Sequence, residues 1–309
     1  MAFSLRKRTS SAVVGLDIDA RYLAAAHVDH GRLVRGASVE LPDGVVRDGE
    51  VIDREVLAKA LKTFVADAGL PRNVRLGVGN QQIVVRVVEL PQIEDAKQRD
   101  AAVRFQASEA IAMPLDEAVL DHQVAGITPS ADGPARMQVM VVAARRKMID
   151  SLLETVKDAG LKAESIDLDA FALVRALAGA HASPEGSARV YCHLAGVTNL
   201  AVAVGDSCFF TRPLAAVWDQ KDAGSALADE IRLSIDYYMT QPKAKPVADV
   251  VVSGPGSADS EFLDSLGLHL GLPVVVAAPV GQIDSSALAP DEDPHRYTVA
   301  AGLSLGAAA

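Results

Sequence analysis

The sequence has 309 residues but only two cysteines, Cys192 and Cys208, and a single tryptophan. Two cysteines cannot staple a fold or build a four-cysteine zinc site, so a reduced, cytoplasmic compartment is expected. No apolar run approaches the ~20 residues needed to cross a bilayer. Positive charge is in deficit, with 30 Lys and Arg against 40 Asp and Glu and a formal net charge of −10. That excludes a non-specific nucleic-acid binder, which needs positive charge against phosphate. It also excludes an anionic membrane bound across a whole face. Near the start, Arg6, Lys7 and Arg8 lie beside Phe3 and Leu5. No apolar stretch of the ~7–15 residues typical of a secretory signal follows them, so this segment reads as a solvated tail.

What is present is a globular balance of 50% hydrophobic and 23% charged residues. At roughly 150 residues per domain the length suggests two domains or one large one.

The pattern is a repeat with an insertion. Val13–Ile18, Tyr22–Val28 and Leu33–Leu41 read as three strands, with a break at Asp19-Ala20-Arg21 and a tight turn at Asp29-His30-Gly31. Residues 189–215 read the same way, with a break at Ala195-Gly196 and a turn at Gly205-Asp206-Ser207. A shift of roughly 177 residues pairs Leu23 with Leu200, Ala24 with Ala201, Ala26 with Ala203 and Asp29 with Asp206. A helical pattern then leads to a strand running into glycines in both halves, at 54–79 and at 225–256. A second helix, a Gly-Leu pair and a strand close each half, around Gly160-Leu161 and Gly271-Leu272. The plan is a duplicated β-β-β-α-β-α-β unit.

Between the two parts of the first half lies an inserted α+β module. It reads as strand Ile83–Leu90, helix Glu94–Ile111, strand Val119–Val124, a loop at Ile127–Pro134 and strand Met137–Ala143. The expected units are residues 1–80 with 148–187 as a first lobe, 81–147 as the insertion, and 188–309 as a second lobe. Two α/β lobes imply a cleft, where strands running into glycine turns can offer backbone N–H groups to phosphate.

Several strings carry a closer likeness. Val84-Val-Arg-Val-Val-Glu-Leu-Pro91, Ile111-Ala-Met-Pro114 and Asp121-His-Gln-Val124 lie in the insertion; Ile166-Asp-Leu-Asp-Ala-Phe-Ala-Leu-Val-Arg175 and Asp229-Glu-Ile-Arg-Leu-Ser-Ile-Asp-Tyr-Tyr238 lie outside it. From Val13 to about Gly306 the chain resembles the PilM family, actin-like proteins of type IV pilus assembly. The resemblance implies an α/β fold of duplicated actin-like (ribonuclease H-like) lobes. It implies ATP and Mg as cofactors between the lobes, and as partner the N-terminal cytoplasmic segment of PilN, an inner-membrane protein. Pilus motor or platform components are further implied partners, and the location is the inner face of the cytoplasmic membrane. On this likeness Val84, Val85, Val87, Leu90 and Phe105 would line a partner groove; each also reads as core of the small module.

The same resemblance places a nucleotide site on Asp17, Asp19, Arg21, Gly196, Thr198, Asn199, Glu230, Ser234, Gly254 and Gly256. Asp17 stands where the family acid holds hydrated Mg. Asp19 replaces a family glycine, putting bulk and negative charge where phosphate would sit; read locally, it is an acidic turn residue. The second phosphate loop keeps Thr198, Asn199 and Leu200 but has lost its acid. Different registers put Cys192, His193 or Leu194 there, and none is a carboxylate. Ser253-Gly254-Pro255-Gly256 keeps two glycines around a proline. The expectation is an adaptor with weakened or lost ATP binding and no catalytic residue. The alternatives are a competent actin-like ATPase and a filament-forming protein of the FtsA type, which would carry an amphipathic C-terminal helix.

Overall fold

The computed structural model describes residues 13–129, 135–181, 183–215, 218–220, 222–241, 243–277, 283–284, 286, 288 and 292–306. The basic N-terminal cluster lies outside the described residues.

The first half opens with β1 (Val14–Ile18), β2 (Tyr22–Asp29) and β3 (Arg32–Glu40). A two-residue pair, β4 (Val46–Arg47) and β5 (Glu50–Val51), leads into α1 (Arg54–Asp67) and β6 (Asn73–Val78). Helix α1 starts where Asp53 accepts a hydrogen bond from the Val56 amide at 3.0 Å, satisfying a donor that the first turn leaves free. Its buried Leu57, Leu61, Phe64 and Val65 repeat at helical spacing.

The insertion follows as β7 (Val84–Pro91), α2 (Ala96–Ala110), β8 (Ala118–Thr128) and β9 (Arg136–Arg145). Strand β8 runs on through Thr128, beyond its expected end and into the expected loop, because β9 pairs with it as far as Thr128↔Arg136. Residues 130–134 of that loop lie outside the described residues. The sheet order is β7-β9-β8. Val103 and Ala107 of α2 pack with Val139 and Val141 on one face, while Val85, Val119 and Val142 on the other join the core of the first half.

The first half resumes with α3 (Arg146–Asp158), β10 (Lys162–Leu168) and α4 (Asp169–Leu177). The second half runs β11 (Ala188–His193), β12 (Thr198–Val204), β13 (Ser207–Leu214), α5 (Ala223–Met239), β14 (Val247–Ser253), α6 (Ser260–Leu270), β15 (Val274–Val276) and α7 (Thr298–Leu305). Helices α3 and α6 stop at the expected glycines; Gly160 and Gly271 have φ of 76° and 70°, the left-handed region that ends a helix without a Cβ clash.

The two large sheets share one topology. Their orders are β10-β6-β1-β2-β3 and β15-β14-β11-β12-β13, the same pattern under the duplication. In each, the first strand pairs antiparallel with the second and parallel with the strand after the first long helix.

A third helix stands at the end of each half, and the two are exchanged. Helix α4 belongs by sequence to the first half, but its Leu173, Val174 and Leu177 pack on Tyr191, Ala201 and Ala203 of the second sheet. Helix α7 ends the second half, yet Ala300 and Ala301 pack on Tyr22, Ala24 and Ala26 of the first sheet. The alanines matched by the repeat are therefore the small side chains that let a helix lie close on each sheet. Where α4 and α7 cross, a Cβ on Gly302 would lie 1.9 Å from the Ala172 carbonyl oxygen. Arg175 Nε also donates to the Gly302 carbonyl at 3.1 Å.

Candidate functional site

The cleft between the sheets lies where β1, β6 and β11 end and α4 begins. Asp17, Asp19, Gly77, Gly79, Asp169, His193 and Asn199 line it, and no described lining residue is Lys or Arg.

Asp17 ends up here because β1 alternates. It pairs with Ala24, so it shares the face that α7 covers, while Leu16 and Leu23 face the opposite core. Burial, then the Asp169 and Asp19 charges, push its carboxyl well above the usual carboxylate range. Asp169 is the first residue of α4. Burial and the neighbouring Asp167 and Asp19 push it up to about 7. Its Oδ1 is shut off from solvent and has no hydrogen-bond partner. An orphaned carboxylate oxygen beside Gly77, in a cleft that also holds buried Asp17, suits a hydrated divalent cation held through water. A direct cage is not present: among the described residues no three His, Cys, Asp or Glu are grouped to hold a metal ion.

Asp19 turns across the cleft. Its Oδ1 accepts from the Arg21 amide at 2.9 Å and its Oδ2 from the Gly196 amide, in the other half, at 2.8 Å. Burial raises its carboxyl, and these backbone donors partly offset that. A Cβ on Gly196 would lie 2.7 Å from Asp19 Oδ1, so only glycine permits this approach. Arg21 reaches the same side: its guanidinium pairs with Asp219 at 2.6 Å and lies 5.6 Å from the Trp218 ring centre.

Strand pairing resolves the register of the second loop. Asp17 opposes Ala24, and Tyr191 opposes Ala201, so Tyr191 is the counterpart of Asp17. Asp19 pairs through its amide with Tyr22, and His193 pairs with Asn199, so His193 is the counterpart of Asp19. The ungapped shift slips here because the turn spans residues 19–22 in one half and 193–199 in the other. Cys192 faces the opposite core, where burial pushes its thiol up to about 12. His193 is buried, with Nδ1 at 3.0 Å from Ser253 Oγ and Nε2 unpartnered. Burial, reinforced by His295, lowers it to about 4, so the imidazole is neutral at pH 7. Thr198 Oγ1 is likewise buried without a partner.

The remaining expected nucleotide residues serve internal contacts. Gly254 has φ 88°, and a Cβ there would lie 2.6 Å from the Leu194 carbonyl oxygen. A Cβ on Gly256 would lie 2.6 Å from Trp218 Cδ2, so the indole occupies the space over this glycine. Glu230 Oε2 accepts from the Ala215 amide at 3.1 Å, and Ser234 Oγ donates to the Glu230 carbonyl at 2.7 Å. Of the expected residues, Asp17, Asp19 and Asn199 line the cleft. Asp169 and Trp218 were missed. The signal for Asp169 was an acid between a strand and an apolar helical run; nothing local pointed to Trp218.

The expected groove residues do not share one surface. Leu90 is 6% exposed and packs with Val88 and Val103, and Val84 lies against the same cluster. Val85 faces the first-half core instead. Val87 is 40% exposed, and Phe105, on the outer side of α2, is 65% exposed. Alternation along β7 is the reason: Val84 and Leu90 point to one face, Val85 and Val87 to the other. No described helix is long and apolar enough to cross a membrane.

Over most of its length the chain superposes on a solved structure described as the PilM-PilN type IV pilus biogenesis complex, with a TM-score of 0.80, 23% identity, and coverage of 95% of this chain and 98% of that one. Ethanolamine utilization protein EutJ from Carboxydothermus hydrogenoformans matches with TM-score 0.54, 14% identity and coverage of 94% and 88%. The cytoplasmic domain of EpsL, an inner membrane component of the type II secretion system of Vibrio cholerae, matches with TM-score 0.51, 12% identity and coverage of 96% and 95%. The fold is the two-lobe α/β fold of the actin-like ATPases. The family model of type IV pilus assembly protein PilM matches residues 15–213, and the chain belongs to that family.

Proposed function

We propose that this chain is an adaptor of type IV pilus assembly that binds the N-terminal cytoplasmic segment of a PilN-like inner-membrane protein and does so without needing ATP. It works as three units, residues 1–80 with 148–187, 81–147 and 188–309, with α4 and α7 exchanged between the first and the third. The partner brings it to the inner face of the cytoplasmic membrane. Membership of the PilM family supports the partner. One observation carries the nucleotide part: the Gly196 amide, which an incoming phosphate would use, already holds the Asp19 carboxylate. Tyr191, the counterpart of Asp17, supplies no carboxylate in the second loop to orient water for hydrolysis.

The test is binding of a labelled PilN-type N-terminal peptide, followed by fluorescence anisotropy with and without Mg-ATP. The expected result is an affinity that changes less than about twofold, well under 1 kcal/mol. Binding only in the presence of Mg-ATP, or no binding at all, would overturn the proposal. Thermal unfolding checks it independently, because a nucleotide present at ~100 times its Kd would add about 2.7 kcal/mol of stability. A second reading, a competent ATPase, draws on Asp17 and Asp169, which suit a hydrated cation; steady phosphate release from Mg-ATP, abolished by Asp17→Asn, would establish it.

A further inference from the structure

We propose that Asp19, Arg21, Trp218 and Asp219 form an intramolecular latch that holds the two lobes together without a ligand and competes with any phosphate-bearing molecule for the cleft. This rests on the nucleotide-independent reading above. Two side chains from one short turn of the first lobe make three contacts on the second: Asp19 with the Gly196 amide, Arg21 with Asp219, and Arg21 over Trp218. Taken singly, the Arg21–Asp219 pair is worth little, since both side chains are well exposed to solvent. The convergence gives the arrangement its meaning.

Each end of the latch uses a glycine. At one end the carboxylate meets the Gly196 amide at a distance that any side chain on residue 196 would prevent. A carboxylate on a backbone amide at a strand-end turn is the arrangement of an anion in a backbone nest. Here the anion is part of the chain, so its effective concentration exceeds that of a free ligand. At the other end the Trp218 indole fills the space over Gly256, in the glycine loop after β14. The ring packs on the second-lobe core, and its Nε1 is buried without a partner. A phosphate-bearing ligand entering the cleft has to displace the carboxylate, and a bulky group over Gly256 has to displace the indole.

Trp218 is the one tryptophan of the chain, so its fluorescence reports on the latch alone. The experiment compares acrylamide quenching and amide hydrogen exchange at residues 194–199 in the ligand-free wild type, Arg21→Ala and Asp19→Ala. Expected are a quenching constant raised at least about twofold in Arg21→Ala, and Gly196 exchange accelerated at least about tenfold in Asp19→Ala. Exchange in β11 and β12 stays unchanged, which shows that the fold is intact. Unchanged quenching and exchange in folded variants would overturn the latch. If Asp19→Ala does not fold, Asp219→Asn, at an exposed position, tests the Arg21 side of the latch through the tryptophan signal, and an unchanged quenching constant there would overturn the latch. The two readings fail differently: peptide binding that requires Mg-ATP overturns nucleotide independence, whereas a false latch shows in the ligand-free variants.

Discussion

Asp19 Oδ2 accepts a hydrogen bond from the Gly196 amide at 2.8 Å, across a sequence separation of 177 residues. The two turns that close the first hairpin of each half therefore meet in the cleft. The contact joins the lobes at the point where an anion would have to enter.

Removing the Asp19 side chain should free that amide. Asp19→Gly is expected to bind Mg-ATP at least tenfold more tightly than the wild type, about 1.4 kcal/mol, measured by isothermal titration calorimetry. The ceiling is about 4 kcal/mol, the repulsion of two unit charges ~4 Å apart at an effective dielectric of ~20. Equal affinities would place the obstacle to nucleotide elsewhere.

The crossing of α4 and α7 should not tolerate a methyl group. In an exposed helix Gly→Ala gains roughly 1 kcal/mol. At Gly302 the added Cβ would lie 1.9 Å from the backbone oxygen of Ala172, and backbone cannot step aside as a side chain can. Overpacking of this kind costs about 1–3 kcal/mol or more. Gly302→Ala is therefore expected to destabilise the chain by up to about 2 kcal/mol net in urea unfolding; a stabilised variant would show that the helices separate freely.

Asp169 should make stability fall as pH rises. Its folded-state value of about 7 lies above the usual carboxylate value of 3.8. Below that usual value both states are protonated and no penalty exists. Between there and about 7 the unfolded chain ionises first and stability drops, and above about 7 the penalty is complete. Asp169→Asn should therefore unfold at a higher temperature than the wild type at pH 8, by about 1–3 kcal/mol in stability, with the gain gone at pH 3.5. A variant equally stable at both extremes would argue against the buried charge.

His193 should stay neutral where ordinary histidines titrate. With its folded value lowered to about 4, its imidazole carbon shifts are expected to remain flat from pH 8 to pH 5 in NMR spectra. The sign is opposite to that of Asp169: this group's contribution is complete above about 6.5 and is lost as pH falls toward 4. A titration midpoint near 6.5 would mean that the ring is solvated.

Leu90 and Phe105 separate core from surface in the insertion. Leu90→Ala removes a buried side chain and should cost about 2–4 kcal/mol. Phe105→Ser, on the solvent side of α2, should stay within about 0.5 kcal/mol. If Phe105→Ser instead weakens binding of the PilN-type peptide with stability unchanged, the outer face of α2 belongs to the partner surface.

The duplication, the insertion and most helix ends were determined by the sequence itself. Their signals are local: an apolar run at Tyr22–Val28, a helical pattern from residue 54, glycines at 160 and 271 that end helices. Such features act within one or two turns of chain, so a short window carries them. The alanines at 24, 26, 201 and 203 were visible as a repeat, but their purpose was not. Only the tertiary structure decided that α4 and α7 change lobes to cover them, that His193 rather than Gly196 is the counterpart of Asp19, and that the Asp19 carboxylate reaches Gly196. Each depends on how segments of different lobes are brought together or on the length of a turn. Burial, close approach and shifted charge arise only when the fold brings those segments together.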